Sequence, residues 1–135
     1  MSMLVPNAGE VLVLEMIVNK TAAQNLVLKL FQSNTTPAET DTAGTYTEAD
    51  FSGYTAATLT GASWGSGSAG APSSITYGSA QSFTADTSVS NDIYGYFYVQ
   101  ATSGTILAAE RDASAPFAVR NSGDKVQLTP AITCD

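Results

Sequence analysis

Few residues of this chain have types and spacings that could do chemistry, and one absence narrows them at once: there is no histidine. Histidine titrates near neutral pH and is the usual general base and the commonest zinc ligand. Gly61-Ala62-Ser63-Trp64-Gly65 spells G-x-S-x-G, the pattern of a nucleophilic serine. That pattern works when a strand–turn–helix presents the serine and a base takes its proton. The Gly/Ser run that follows does not read as a helix, so no catalytic residue is assigned and the chain reads as a non-enzyme. Gly65-Ser66-Gly67-Ser68-Ala69-Gly70 matches G-x-G-x-x-G, which holds a pyrophosphate only where a helix N-terminus follows. Ala71-Pro72-Ser73 follows here, and the match is a product of low complexity. Glu39/Asp41 and Glu48/Asp50 offer the oxygen ligands calcium takes, but without the spacing of an EF-hand loop they read as solvated carboxylates. No metal site and no cofactor is expected. Cys134 is the only cysteine, cannot close an internal disulfide, and reads as a free thiol.

Composition narrows the classes further. The chain has 135 residues, a formal net charge of −7 and five Lys/Arg. That length suits one domain, 1–135, with a real core. Nucleic-acid binding needs a Lys/Arg footprint, and docking on anionic lipid needs the same sign, so neither partner is expected. No stretch approaches the roughly 20 apolar residues of a membrane span, and Met1 opens no secretory leader. Asn19-Lys20-Thr21 and Asn34-Thr35-Thr36 fit the glycosylation sequon, which is idle without such a leader.

The elements that must position any site are mostly strands. Asp92 to Gln100 alternates, with Ile93, Gly95, Phe97 and Val99 on one side and Tyr94, Tyr96, Tyr98 and Gln100 on the other, the period of a half-buried strand. Thr102-Ser103-Gly104 reads as a three-residue hairpin loop with Gly104 left-handed. It sets Phe97 opposite Ala109, Val99 opposite Leu107, and Tyr96 and Tyr98 opposite Glu110 and Ala108. A two-residue loop would slip the register and put Glu110 opposite Phe97. The aliphatic side is assigned to the core, which leaves Tyr94, Tyr96 and Tyr98 as an outward face suited to a protein interface.

Upstream, Met3, Leu4 and Val5 form a short apolar patch stopped by Pro6, and residues 1–7 read as a frayed terminus or an arm on a neighbouring subunit. Val11 to Val18 is apolar nearly throughout. Its β-branched residues favour a strand, while Glu10 and Asn19 suit a short helix; helix is the reading taken, with strand left open, and core either way. Leu26 to Gln32 is a strand, Ser33 to Thr45 an exposed loop, Glu48 to Phe51 a helical turn, and Tyr54 to Leu59 a strand. Trp64 either caps one end of the core or marks contact with a partner or sugar, and Gly65 to Ser74 is a flexible loop. Strands follow at Ser74 to Tyr77, Gln81 to Ala85, Thr105 to Arg111, Phe117 to Arg120 and Lys125 to Thr133, the last at an edge or bulged at Pro130. About eight strands with short late connections predict an all-β, antiparallel β-sandwich or jelly-roll-like fold, its late strands in a meander, with a short N-terminal helix.

Several stretches resemble a family. Leu4-Val5-Pro6-Asn7-Ala8-Gly9-Glu10, Asn19-Lys20-Thr21-Ala22 leading into Leu26 to Phe31, Phe51-Ser52-Gly53-Tyr54, Leu59 to Trp64, Tyr94-Gly95-Tyr96 and Asn121 to Val126 are similar to small virion proteins of tailed bacteriophages. Among these the chain is most like the jelly-roll capsid decoration, or cement, proteins. The resemblance implies a homotrimer on the outside of the assembled capsid, with the major capsid protein as partner and the virion surface as location after synthesis in the host cytoplasm. It transfers no catalytic residue. The alternative is a receptor- or carbohydrate-binding module of a tail fibre or baseplate, with Trp64 and the tyrosines as stacking platforms.

Overall fold

Leu26 to Phe31 alternates Leu26, Leu28 and Leu30 with Val27, Lys29 and Phe31, and this strand organises the domain. The computed structural model describes residues 3–134. The elements in order are α1 (Asn7–Ile17), β1 (Leu26–Phe31), β2 (Ala57–Leu59), β3 (Ser73–Thr76), β4 (Gln81–Thr84), β5 (Asn91–Ile93), β6 (Gly95–Gln100), β7 (Ile106–Arg111), β8 (Phe117–Val119), β9 (Lys125–Leu128) and β10 (Ala131–Cys134). Short 3-10 turns lie at Ala43–Thr45 and Gly61–Ser63. The fold is all-β and antiparallel with one short N-terminal helix.

β1 lies at the centre of a four-stranded sheet ordered β2-β1-β6-β7. The remaining strands pair β3 with β10, β4 with β9 and β5 with β8. Together with β6–β7 these pairs are nested, the chain from Ser73 to Cys134 doubling back on itself about the β6–β7 turn. Nested antiparallel pairing of this kind makes the fold jelly-roll-like, and it replaces the meander expected from the short late connections. Short loops here join strands of different pairs.

The hairpin register is as expected at Gly95↔Arg111, Tyr96↔Glu110, Phe97↔Ala109 and Tyr98↔Ala108. A bulge after Tyr98 then sets Val99 opposite Ile106 rather than Leu107. Gln100 N–H bonds the Thr105 carbonyl at 2.9 Å, so the loop has four residues, Ala101 to Gly104, where three were expected; Gly104 is left-handed as expected, with φ +70 and its N–H on the Gln100 carbonyl at 2.9 Å. The Asp92–Gln100 run is two strands, because the chain leaves β5 for the main sheet at Tyr94. Pro130 likewise divides the last run into β9 and β10. Glu48 to Phe51 is extended rather than helical: Glu48 bridges Phe31, and Ala49 N–H bonds the Leu30 carbonyl at 2.9 Å.

Both faces of the main sheet are buried. Leu28, Leu30, Tyr98 and Ala108 join Phe51, Phe83, Ile93 and Val119 in the principal core. Phe31, Phe97, Val99, Ile106 and Ala109 form a second core with Tyr46, whose ring stacks on Phe97 at 5.1 Å. The Ser33 to Thr45 loop leads to Tyr46, and Asn7 N–H bonds Glu39 in that loop at 2.8 Å.

Gly95 is what lets β6 cross between these layers. A β-carbon there would run into the Glu110 carbonyl oxygen and stand 2.6 Å from Phe31 Cζ. Neither a ladder carbonyl nor a fully buried ring can give way. Gly95→Ala is therefore expected to lower stability by about 2–3 kcal/mol, read from the urea midpoint at unchanged slope. An unchanged midpoint would show that the sheet opens there without cost.

Candidate interaction surface

α1 begins after Pro6 and ends where Asn19 takes φ 58, a left-handed C-terminal stop. Glu15 is bonded by Lys20 Nζ at 2.6 Å and Thr21 Oγ1 at 3.0 Å, and those bonds, the Lys20 ammonium first, hold its carboxyl below the ordinary glutamate value. The inner face buries Gly9 and Leu12. At Gly9 even a β-carbon would strike the Leu107 carbonyl oxygen of β7, so glycine sets how closely the helix lies on the sheet.

The outer face is apolar and uncovered. Val11 is 56% exposed, Leu14 63%, Ile17 74% and Val18 71%. They share one side of the helix at i, i+3, i+6 and i+7. This corrects the expectation that Val11 to Val18 is core throughout: only Leu12 in that run is buried. Nothing in the apolar run itself separates the two faces, because a helix apolar nearly all round lacks the contrast that marks an outer side.

The expected interface residues lie elsewhere. Tyr98 has no exposure, and its hydroxyl donates to the Ala131 carbonyl at 3.2 Å. Tyr96 packs half-buried on the same core, edge-on to Tyr98 at 5.7 Å, and donates to Glu110 Oε2 at 2.7 Å. Tyr94 packs on the second core under the Arg111 guanidinium, 4.9 Å from its ring centre. Of the expected outward tyrosines, Tyr96 and Tyr98 thus line the principal core and Tyr94 packs on the second. The Tyr96 and Tyr98 hydroxyls find partners on the way in, which is how tyrosine serves as a core residue.

Met3, Leu4 and Val5 are not a free arm. Leu4 pairs with Ala109 through backbone bonds of 2.8 and 2.9 Å, lengthening the sheet past β7, and Met3 and Val5 pack on the principal core. Of the expected arm, residues 1 and 2 lie outside the described residues. Trp64 is half-buried at one end of that core, its ring edge-on to Tyr77 at 5.3 Å and 78°. The Gly65 to Ser74 loop is pinned by mutual backbone bonds between Ser68 and Ser74 at 2.7 and 3.0 Å.

The groups that looked chemical are occupied in local structure. Ser63 Oγ sits 2.9 Å from Thr60 Oγ1 in a 3-10 turn followed by extended backbone at Trp64. Asp41 accepts from Ala38 N–H at 2.8 Å and from the Tyr46 hydroxyl at 2.7 Å. Glu48 accepts from Lys29 at 2.8 Å and from the Tyr54 hydroxyl at 3.0 Å. Asp50 accepts from the Asn91 amide at 3.0 Å. Among the described residues no three acidic or cysteine side chains gather as metal ligands, and no helix there is long and apolar enough to cross a membrane. A cleft of about 300 Å³ between β6 and β9 is lined by Leu30, Ile93, Tyr96, Phe117, Val126 and Leu128 among others.

What these observations define is an antiparallel jelly-roll-like domain with one outward apolar helix face. No family model, no curated protein and no solved structure matches this chain.

Proposed function

We propose that this chain works by holding rather than by chemistry, as a capsid decoration protein of a bacteriophage particle. The observation that supports the reading is the outer face of α1. A small acidic domain that keeps Val11, Leu14, Ile17 and Val18 in water gains free energy by burying them against another chain. The resemblance to small virion proteins supplies the setting. In that setting the partners are the major capsid protein and further copies of the chain, which in the proteins it resembles form trimers. A protein that binds only the assembled shell stabilises it by RT ln(1 + [L]/Kd), about 2.7 kcal/mol per site at a hundredfold excess over Kd.

The test is sedimentation with purified bare, expanded capsids. The protein is expected to pellet with them. If it stays in the supernatant yet binds host cells or glycans, the decoration reading falls and the tail-fibre or baseplate module takes its place.

A further inference from the structure

Gln100 ends β6 on the principal-core side of the main sheet, in one row with its ladder partner Leu26 and with Leu59 beyond it. It is 3% exposed. Its backbone N–H and carbonyl serve the hairpin turn, the first bonding the Thr105 carbonyl and the second accepting from Gly104 N–H, each at 2.9 Å. Its Oε1 accepts from the Ser103 hydroxyl at 2.6 Å, and the Ser103 oxygen in turn accepts from Thr105 N–H at 3.2 Å. That leaves Nε2, which is buried and has no partner among the described residues. A buried donor without an acceptor destabilises the fold until something accepts from it.

Gln100 is also a wall of a cleft of about 240 Å³, where α1 meets the start of β1 and the end of β2; Leu12, Met16, Leu26, Leu59 and Trp64 are further walls. Among the described residues no charged side chain lines it. An ion would therefore shed its water with no opposite charge to meet. Water itself suits the place poorly, because a buried water takes two to four polar partners. A mostly apolar molecule with one acceptor oxygen suits it on both counts, its body against the aliphatic walls and the Trp64 ring, its oxygen on the amide. An apolar cavity of about 150 Å³ takes benzene, so this cleft has room for such a ring with a short substituent. We infer that the cleft binds a small uncharged molecule, a benzene-sized apolar body bearing a carbonyl or ether oxygen, and that Gln100 Nε2 donates to that oxygen. Nε2 is shut off from water, so the oxygen reaches it as a wall side chain gives way; the unbranched Met16 is the wall best suited to that. The inference does not rest on the capsid reading, and its test uses the isolated protein.

The experiment is an NMR titration of the nitrogen-labelled full chain with three probes of similar size: acetophenone, isopropylbenzene and benzoate. Acetophenone is expected to move the Trp64 indole N–H signal and the Gln100 side-chain amide pair along one saturation curve. Isopropylbenzene, which has no acceptor, should move Trp64 and leave the Gln100 amide in place. Benzoate should bind at least about tenfold more weakly than acetophenone, because its charge is desolvated without a partner. Gln100→Met keeps the length of the side chain and removes the donor. It should weaken acetophenone about tenfold, the worth of one hydrogen bond, and leave isopropylbenzene within about twofold. Because that variant also loses the bond to Ser103, the wild-type amide signals decide the matter if it folds poorly. An unmoved Gln100 amide under saturating acetophenone, equal losses for both uncharged probes in Gln100→Met, or benzoate as tight as acetophenone would overturn the inference. So would a Trp64 signal that answers to neither uncharged probe; if Trp64 fluorescence then shifts on adding bare capsids, a capsid side chain is the occupant instead.

Discussion

Tyr98→Ala is expected to remove about 3–5 kcal/mol of stability, a large share of the roughly 5–15 kcal/mol that holds a domain folded. Tyr98 has no exposure and pairs Leu28 on one side and Ala108 on the other. Deleting its ring opens a hole where the main sheet meets β10, with neighbours fixed by their own ladders. Tyr98→Phe keeps the ring and loses only the bond to Ala131, so it should cost about 1 kcal/mol. Urea unfolding of the two variants beside the wild type measures both, and the ratio is the informative quantity. Equal losses would place the value of Tyr98 in its hydroxyl; a loss under about 1 kcal/mol for the alanine variant would mean that the face is not core.

Alkaline pH should unfold the protein by the same route. Burial first, and bonded carboxylates second, push the hydroxyls of Tyr46 and Tyr96 well above the ordinary tyrosine value, the carboxylates being Asp41 and Glu110; burial pushes Tyr98 the same way, with the nearby Glu110 charge only a lesser cause. Tyr54 is pushed the same way by burial and by Glu48, against a smaller opposing effect of the Leu30 N–H. These groups stay protonated in the fold while the unfolded chain ionises near pH 10. The unfolded state then binds fewer protons, so stability is fully present below about pH 10 and is lost as pH rises above it. Each such hydroxyl contributes a slope approaching about 1.4 kcal/mol per pH unit. The melting temperature should be flat from about pH 7 to 9 and fall steeply beyond about 10, with tyrosinate absorbance rising in step with unfolding. Tyr77, whose oxygen accepts from Thr60 and is held below the ordinary value chiefly by that residue and Ser63, ionises ahead of the others. If tyrosinate absorbance rises fully while the melting temperature stays level, the hydroxyls ionise in place and the buried-tyrosine account fails.

The sequence made legible whatever rests on neighbours along the chain. The β6–β7 hairpin, its Gly104 loop and most of its register follow from alternation and turn chemistry over a short span. Alternation says that a strand has two faces, not how many of them are covered. The Phe97 side and the Tyr98 side are both buried because the aperiodic stretch after Ser33 brings Tyr46 over one of them. Nothing in that stretch announces a layer. The pairing of β3 with β10 and β4 with β9 was equally hidden, since its partners are remote and their patterns would suit other partners as well. The α1 surface was missed for a different reason: a helix apolar nearly all round carries little contrast to tell its inner side from its outer one. Gly9, which fixes the inner side by close approach to Leu107, is one residue and looks like any other glycine.

The nested order of the strand pairs has a consequence for how the chain reaches this shape. The β6–β7 turn closes a short loop, whereas the pairing of Ser73 with Cys134 must wait for everything between them. Closing long loops before their contacts reward them is slow. Folding is therefore expected to zip outward from the Gly104 turn, through β5–β8 and β4–β9, with β3–β10 last. During synthesis β3 emerges well before β10, and its edge away from Ser68 stands open, a template for pairing with the β3 or β10 of another nascent chain. Its sequence, Ser73-Ser74-Ile75-Thr76, holds a single large aliphatic residue. That polarity limits aggregation through the interval when the edge is open.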